Sequence, residues 1–462
     1  MLYTFKGGIH IKEYKLTAAE PVQRLPAPAR VRIPLSQHIG APCTPTVSVG
    51  DTVDKGQMIG DVAQGLGCPV HATVSGRVSA IEEVFTPAGR KMRRIVIEND
   101  GEDRLCPDIA PLGRSVCDIT PQECVEAVRL AGVSGMGGAT FPTYAKISSA
   151  LGKVDKLIIN CAECEPFITA DHRLMLEEPR SVINGAELLA SVFGTEGAMI
   201  AIENNKLDAA QALRDALGEN GNIHIKIMKT KYPQGDERQL IYALTGKELP
   251  AGKLPSDLGC VIFNVETCVN IYRAVNERMP LIERIVTVSG DCVSAPKNVL
   301  APIGTSISEL ISFCGGFKRK PEKLIIGGPM MGVAQWDPDT PVTKGTNAVL
   351  AFSEELCGKA DTRYACLHCG KCVRGCPMHL MTLYLAQYAS IHDYVMCEKF
   401  SIMSCVECGS CTYVCPGKVP IVQLIRMGKA RIREEAAAAA AAKQASELRP
   451  AEKETEKKPV RQ

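Results

Sequence analysis

Two cysteine runs near the C-terminus decide the architecture: Cys366-Leu-His-Cys369-Gly-Lys-Cys372-Val-Arg-Gly-Cys376-Pro377 and Cys405-Val-Glu-Cys408-Gly-Ser-Cys411-Thr-Tyr-Val-Cys415-Pro416. Both follow the pattern C-x2-C-x2-C-x3-C-P. The chain has 21 cysteines, and nine of them lie between residues 366 and 415. Such clustering indicates metal or redox chemistry rather than disulfide bonds, provided that the protein works in a reducing compartment.

The spacing of both runs resembles that of bacterial two-cluster ferredoxins, in which the fourth cysteine of each run binds the other cluster. The resemblance assigns one [4Fe–4S] cluster to Cys366, Cys369, Cys372 and Cys415, and the second to Cys405, Cys408, Cys411 and Cys376. A pair of zinc ribbons is the alternative, but zinc ribbons use two C-x2-C knuckles with four ligands in all. Eight cysteines in two identical runs do not fit that pattern. His368 is expected to be a spacer, and Cys397 a buried free thiol.

Composition excludes several classes of protein. A length of 462 residues predicts three or four domains, and 45% hydrophobic with 23% charged residues is ordinary for a soluble globular chain. The 53 basic and 51 acidic residues nearly cancel, so no electrostatic footprint for nucleic acid exists. No apolar run approaches the roughly 18 residues of a membrane span, and the first residues do not resemble a signal peptide. We therefore expect a cytoplasmic protein that reaches a membrane only through partners.

Residues 1–115 are predicted to form an all-β domain. Val47–Gln57 and Pro69–Ile81 both read as strand, turn and strand, with glycine and aspartate in the turns. The stretch resembles the lipoyl and biotinyl carriers, whose halves share G-D-x-V-x-x-G-Q and P-x-x-G-x-V patterns. Carriers present a lysine at the hairpin tip, whereas residues 67–71 contain none. We therefore expect a barrel-sandwich hybrid without a swinging arm, with Cys43 and Cys68 as lone thiols.

Residues 116–278 alternate between helices and strands, which predicts an α/β layer fold. Thr120-Pro121-Gln-Glu123 is a capping box that begins the first helix. A glycine-rich loop, residues 132–143, then precedes another helix and can bind a phosphate through its backbone N–H groups. It is not the Rossmann fingerprint, because a helix rather than a strand precedes the glycines.

Three further stretches add to the evidence for a ligand site in this domain: Asn160-Cys-Ala-Glu-Cys-Glu-Pro166, Tyr232-Pro-Gln-Gly-Asp-Glu-Arg238 and Asn264-Val-Glu-Thr-Cys-Val-Asn270. Together with the glycine loop they resemble the NADH-oxidising flavoprotein subunit of respiratory complex I. The resemblance implies that FMN is bound by Gly135, Gly137, Gly138, Lys146, Asn160, Glu163, Gly235, Asp236, Glu237, Asn264 and Thr267. It implies NADH contacts from Ala139, Phe141 and Glu165. No catalytic side chain is implied, because the flavin itself transfers the hydride.

The chain departs from this family at a few positions. The family's loop arginine is Met136 here, its aspartate two residues after the asparagine is Ala162, and its Gly-Glu-Glu turn reads Gly-Asp-Glu. Cys161 and Cys164 form an isolated C-x2-C motif, and no second pair accompanies them as a metal site would require. These departures bear on NADH binding more than on FMN binding.

The remaining segments complete a multidomain α+β chain. Residues 279–335 resemble the ubiquitin-like β-grasp domain that follows the flavin domain in complex I, with a helix near residues 306–314. Residues 336–430 form the two-cluster ferredoxin-type domain. Residues 431–462 begin with an alanine run and end with many charges, so we expect a helix that fades into a disordered tail.

The order of these parts resembles the RnfC family, whose members are subunits of the Rnf complexes, membrane-associated ferredoxin:NAD⁺ oxidoreductases that move Na⁺ or H⁺. Phe5-Lys-Gly-Gly-Ile-His10 and Ile33-Pro-Leu-Ser-Gln-His-Ile-Gly-Ala-Pro42 strengthen the resemblance. It implies a peripheral subunit on the cytoplasmic side of the membrane, with FMN, two [4Fe–4S] clusters, NAD(H) as substrate, other members of the complex as partners and ferredoxin as an indirect one. A cobalamin reductase with the same domains, and a non-enzymatic electron-relay subunit, are the alternatives.

Overall fold

The computed structural model describes residues 2–85, 91–113, 115, 118–218, 221–358 and 364–447. The chain divides into two compact units, with the division between residues 362 and 363. Within the described ranges, no helix combines the length and apolar character that a membrane crossing requires.

The first unit begins with a short strand and a barrel-sandwich domain, as the sequence predicts. Its strands are β1 (Val22–Arg24), β2 (Arg30–Pro34), β3 (Thr44–Pro45), β4 (Thr52–Val53), β5 (Met58–Asp61), β6 (Val70–His71), β7 (Gly76–Phe85) and β8 (Lys91–Asn99). Strands β2-β8-β7-β4 form one sheet and β3-β5-β6 another, and all of these pairs are antiparallel. Alternation along β2 buries Val31 and Ile33 in the core between the sheets.

An α/β domain follows. Its elements are α1 (Pro121–Leu130), α2 (Thr143–Ala150), β9 (Lys156–Cys161), α3 (Ala170–Glu177), α4 (Pro179–Phe193), β10 (Ala198–Glu203), α5 (Leu207–Leu217), β11 (Ile223–Met228), α6 (Glu237–Thr245), β12 (Cys260–Asn264) and α7 (Val265–Asn276). Thr120 and Glu123 form the expected capping box of α1. The four strands are parallel in the order β11-β10-β9-β12.

This strand order creates a crevice between two neighbouring strands. The chain builds the sheet outward from β9 to β10 and β11, and then places β12 on the opposite side of β9. In an open parallel sheet, ligands bind at the carboxyl ends of strands where the order reverses in this way. Asn264 ends β12, Asn160 is the next-to-last residue of β9, and the two are direct partners in the register. The topology therefore brings two of the sequence-predicted stretches to the same edge.

The β-grasp segment forms the fourth sheet of the first unit. Its elements are β13 (Glu283–Ser289), β14 (Lys297–Pro302), α8 (Ile307–Phe313), β15 (Lys323–Ile326), β16 (Val333–Gln335), β17 (Ala348–Phe352) and the short helix α9 (Glu354–Cys357). The sheet order is β1-β14-β13-β17-β15-β16. Strand β17 pairs with both β13 and β15, so the sheet extends past residue 335. The sequence predicts that this domain ends at residue 335.

The residues that precede the barrel contact the other domains of the first unit. The Tyr3 N–H donates to the Ile227 carbonyl oxygen at 3.1 Å, and Ile9 and Tyr232 exchange backbone hydrogen bonds. Strand β1 pairs with β14 of the fourth sheet. Residues before the barrel therefore pack on the α/β and β-grasp domains, because edge strands there offer unpaired backbone groups.

The second unit is helical and is described on its own. Its helices are α10 (Lys371–Arg374), α11 (Thr382–Ser390), α12 (Tyr394–Lys399), α13 (Ser410–Tyr413) and α14 (Ile421–Glu447). Gly370 and Gly409, with φ of 70° and 79°, precede the matching helices α10 and α13, so the two cysteine runs share one backbone design. Cys397 is buried, as expected.

Helix α14 extends into the segment for which the sequence predicts a helix that fades into a disordered tail. It continues without a break through the alanine run to Glu447, so residues 431–447 are helical. Alanine has the highest helix propensity, and no glycine or proline interrupts the segment after Gly428. The rest of the expected disordered tail, residues 448–462, lies outside the described residues.

Candidate functional site

Two asparagines organise the crevice at the end of the parallel sheet. The Asn160 side chain donates to the Gly235 carbonyl oxygen at 2.9 Å and accepts from the Ala162 N–H at 3.0 Å. Asn264 Oδ1 caps helix α7, accepting from the Glu266 and Thr267 N–H groups at 3.0 and 3.2 Å. Both predicted FMN contacts thus use their side chains to hold the backbone around the crevice.

The glycine-rich loop lies against this edge of the sheet. A Cβ atom on Gly137 would come within 3.3 Å of the Asn264 Cβ atom. Gly138 has a φ of +122° and faces open space. Gly137, Gly138 and Ala139 are exposed, and their N–H groups donate to no acceptor in the described part of the chain. Consecutive free N–H groups next to a helix start, here α2, suit a phosphate.

Met136 is anchored inside the protein, which explains one departure from the complex I family. Its N–H donates to Thr267 Oγ1 at 2.9 Å, and Asn270 Nδ2 lies 3.4 Å from its sulfur. Its carbonyl oxygen lies 3.4 Å from the Arg284 guanidinium, which pairs with Glu266 at 2.6 Å. The Met136 side chain is buried, so it points away from the exposed face of the loop.

The Tyr232–Arg238 stretch closes the crevice from another side. Gly235 approaches the Ala162 carbonyl oxygen so closely that an added Cβ would lie 2.6 Å from it. Asp236 caps helix α6, and Glu237 accepts from Lys146 Nζ at 2.8 Å. The Gln234 side chain is buried, yet neither of its amide atoms has a hydrogen-bond partner within the described residues.

A buried charge network supports the segment after β9, and sequence reasoning missed most of it. Glu163 Oε1 accepts from the Asp171 N–H at 2.9 Å, while its Oε2 has no hydrogen-bond partner in the described part. Lys15 Nζ donates to three backbone carbonyls, those of Glu163, Glu165 and Ile168, at 2.7–2.9 Å. No local motif marks Lys15, because its partners lie about 150 residues away in sequence.

Burial shifts the pKa values of these groups. It raises the pKa of Asp171, and the nearby negative charges of Glu163 and Glu266 raise it further. It lowers the pKa of Lys15, with Lys206 acting in the same direction. Titratable groups with perturbed pKa values in a crevice are typical of functional sites.

Glu165 is held by the turn between β15 and β16. Its carboxylate oxygens accept from the Met330 and Met331 N–H groups at 3.1 and 3.0 Å. A Cβ on Gly328 would lie 2.2 Å from this carboxylate, so a side chain at this position would displace Glu165. Burial raises the pKa of Glu165 to about 7, against the opposing effect of these N–H groups. A contact between Glu165 and NADH, as the resemblance implies, would require the carboxylate to leave this turn.

Glu165 should make the stability of the first unit depend on pH. A carboxyl with a raised folded-state pKa keeps its proton where the unfolded chain has lost it, so its contribution to stability falls as pH rises from 4.5 to about 7. Across that window, wild type should lose about 3 kcal/mol relative to Glu165→Gln. Urea unfolding of both proteins between pH 4.5 and 7.5 measures this difference. Glu355→Gln, at an exposed carboxylate of the same unit, should follow wild type; parallel curves for wild type and Glu165→Gln would contradict the prediction.

The remaining residues that the sequence analysis singled out in this domain are Ala139, Phe141, Cys161 and Cys164. Ala139 and Phe141 are exposed beside the glycine loop, which leaves the Phe141 ring accessible to a ligand. Cys161 is buried and Cys164 partly buried. Burial raises the pKa of both thiols, which keeps them protonated.

The second unit brings eight of its nine cysteines together in two groups of four. Four of them line one cavity: Cys366, Cys369, Cys372 and Cys415. The other four line a second cavity: Cys376, Cys405, Cys408 and Cys411. The fourth cysteine of each run therefore lies with the first three of the other run. Within the described residues, no three metal-binding side chains converge on one point as the ligands of a single ion would.

These arrangements fit the groups that the sequence implies. Four thiols around a cavity suit a cubane, which is bound at its corners by thiolates. Within the described part of the α/β domain, the N–H groups of residues 137–139, Oε2 of Glu163 and the Gln234 amide have no hydrogen-bond partner, so they offer both donors and acceptors. A flavin mononucleotide carries a phosphate and a ring edge that need both kinds of group.

Models of protein families match the chain in four places. A Nuo51 FMN-binding domain matches residues 128–273, and an RnfC barrel sandwich hybrid domain matches residues 3–102. An SLBB domain matches residues 285–334, and a 4Fe-4S dicluster domain matches residues 365–419. The fold class and the cofactor classes, FMN and iron–sulfur clusters, are thereby confirmed.

Curated relatives match over nearly the whole chain. One is the RnfC protein of the Na(+)-translocating ferredoxin:NAD(+) oxidoreductase complex of Acetobacterium woodii, 44% identical over 93% of this chain and 97% of its own length. Another is the RnfC protein of the proton-translocating ferredoxin:NAD(+) oxidoreductase complex of Clostridium ljungdahlii, 42% identical over 94% and 95% of the two chains. The corresponding protein of the ion-translocating oxidoreductase complex of Rhodobacter capsulatus is 40% identical over 94% and 84%.

Proposed function

Because this chain belongs to the RnfC family of ion-translocating ferredoxin:NAD(+) oxidoreductase complexes, we propose that it exchanges a hydride with NAD(H) and passes single electrons through two [4Fe–4S] clusters. The observation that carries the proposal is the exposed loop at the crevice between β9 and β12, whose N–H groups donate to no acceptor among the described residues. When bound, FMN supplies the conversion between two-electron and one-electron transfer.

The residues of this chain bind and orient the cofactor. Gly137 and Gly138, with Gly135, leave room for the phosphate, and Lys146 adds a positive charge near the start of α2. The loop and the strand ends are held in place by Asn160, Asn264 and Thr267. The side of the pocket is closed by Gly235, Asp236 and Glu237. Glu163 provides an oxygen that has no hydrogen-bond partner within the described residues.

NAD(H) would approach from the exposed side of the glycine loop. Ala139 and Phe141 are exposed there, and an aromatic ring at a pocket mouth can stack on a nucleotide base. Glu165 would join the contact only after release from Met330 and Met331. Catalysis then depends mainly on positioning, with no side-chain acid or base.

The cluster ligands follow the two groups of cysteines. Cys366, Cys369, Cys372 and Cys415 would bind one cluster, and Cys405, Cys408, Cys411 and Cys376 the other. The domains would be the barrel-sandwich, the FMN domain, the β-grasp domain extended to β17, and the ferredoxin-type unit.

The remaining members of the complex would carry ion movement. The names of the relatives differ in the ion, Na(+) in one and proton in the other, so either ion fits this chain. We place the chain at the cytoplasmic face of the membrane, attached through its partners in the complex, with ferredoxin as an indirect partner.

Anaerobic purification, cofactor analysis and an NADH titration followed by absorbance test the proposal. We expect about eight irons, four per cubane, with one FMN and with flavin bleaching before the iron–sulfur band. Full iron with a flavin that NADH cannot bleach would overturn NADH oxidation and favour a relay subunit, or a reductase with another partner such as a corrinoid.

A further inference from the structure

Two cations on helix α14 contact the second cysteine run. Lys429 Nζ donates to the Cys405 carbonyl oxygen at 2.9 Å and to Glu407 Oε1 at 2.5 Å. Arg426 Nε donates to the other carboxylate oxygen of Glu407 at 3.1 Å. The Lys429 side chain is only 6% exposed. A nearly buried ammonium group therefore lies against the loop that carries Cys405 and Cys408.

The first cysteine run has no such arrangement in the described part of the unit. His368 occupies the position that matches Glu407, and both residues have positive φ, 51° and 58°, so the two loops have the same shape. Among the described residues, the cations that follow the ligands of the other cluster closely in sequence are exposed: Lys371, Arg374 and Lys418. Water and salt screen exposed charges, whereas a buried charge keeps most of its effect.

Reduction of a cubane adds one electron and so one negative charge. A buried cation nearby stabilises the reduced form and raises the reduction potential. Lys429 and Arg426 together outweigh the single charge of Glu407 by one positive charge. The two cysteine runs, identical in spacing, thus hold their clusters in electrostatically different surroundings.

We propose that Lys429 is a positioning residue that raises the reduction potential of the cluster bound by Cys376, Cys405, Cys408 and Cys411 above that of the other cluster. This inference rests on the proposed function, because it presupposes two bound clusters. During reduction, the cluster bound by Cys376, Cys405, Cys408 and Cys411 therefore accepts the first electron.

A reductive titration of the purified full chain, followed by electron paramagnetic resonance, tests the inference. Lys429→Gln should shift the reduction equilibrium of one cluster about tenfold toward the oxidised form, which is about 59 mV for one electron. Glu407→Gln should shift the same cluster in the opposite direction, and Lys429→Arg should stay near wild type. Lys371→Gln, which removes an exposed cation next to Cys372, is the matched control and should shift neither cluster.

The outcomes separate the two proposals. Wild-type protein without two clusters would contradict the proposed function. Two clusters whose potentials are unmoved by both Lys429→Gln and Glu407→Gln would overturn this inference alone, as would an equal shift of both clusters. If Lys429→Gln fails to assemble its clusters, the shift in Glu407→Gln still decides, because that variant keeps the contact between Lys429 and the Cys405 carbonyl.

Discussion

Cys372→Ala is expected to remove about half of the iron and to lower NADH-dependent reduction of an artificial acceptor by about 100-fold or more. Cys372 is buried beside three other cysteines of its cavity. Alanine leaves three thiolates, which cannot complete the coordination of a four-iron cluster. Iron analysis and visible absorbance of anaerobically purified protein measure the loss, and steady-state assays measure the activity.

Cys397→Ala provides the matched control. Cys397 is also a buried cysteine of the second unit, but it lies outside both cavities. Its replacement should leave the iron content unchanged and lower stability by a modest amount, since a small apolar side chain replaces a thiol. Equal iron loss in the two variants would show that any core substitution releases the clusters, and would contradict the assigned ligands.

Gly138→Ala is expected to weaken FMN binding by about 5- to 150-fold. The φ of Gly138 is +122°, a region that costs a residue with a Cβ about 1–3 kcal/mol. The loop would relax to another conformation, and binding would then have to restore the strained one. Quenching of FMN fluorescence on titration of the apoprotein measures the affinity.

A second glycine, Gly50, provides the control that distinguishes backbone strain from a loss of FMN binding. Gly50 lies in the barrel domain with a φ of +102°, and only the end of the Arg77 side chain would lie within 4 Å of an added Cβ. Gly50→Ala should lower the free energy of unfolding to a similar extent as Gly138→Ala, because both residues have positive φ. It should leave FMN affinity unchanged. If Gly138→Ala binds FMN as tightly as wild type, the glycine loop does not hold the cofactor.

Local patterns of the sequence determined much of this protein. Helix α1 begins after Thr120 and α8 spans Ile307–Phe313, as the sequence predicts, because capping boxes and proline at a helix start act within one turn. The spacing of each cysteine run likewise indicates an iron–sulfur cluster, because neighbouring ligands of such a cluster come from one short loop.

The tertiary structure alone decided which distant groups meet. The order of β9 and β12 creates the crevice, Lys15 reaches carbonyls far along the chain, and the turn at Met330 holds Glu165. It also turned the Met136 side chain inward and set Lys429 against only one of the two cysteine runs. These features depend on burial and on hydrogen bonds between residues remote in sequence. No local periodicity encodes such contacts, because their free energy arises only when the chain is packed.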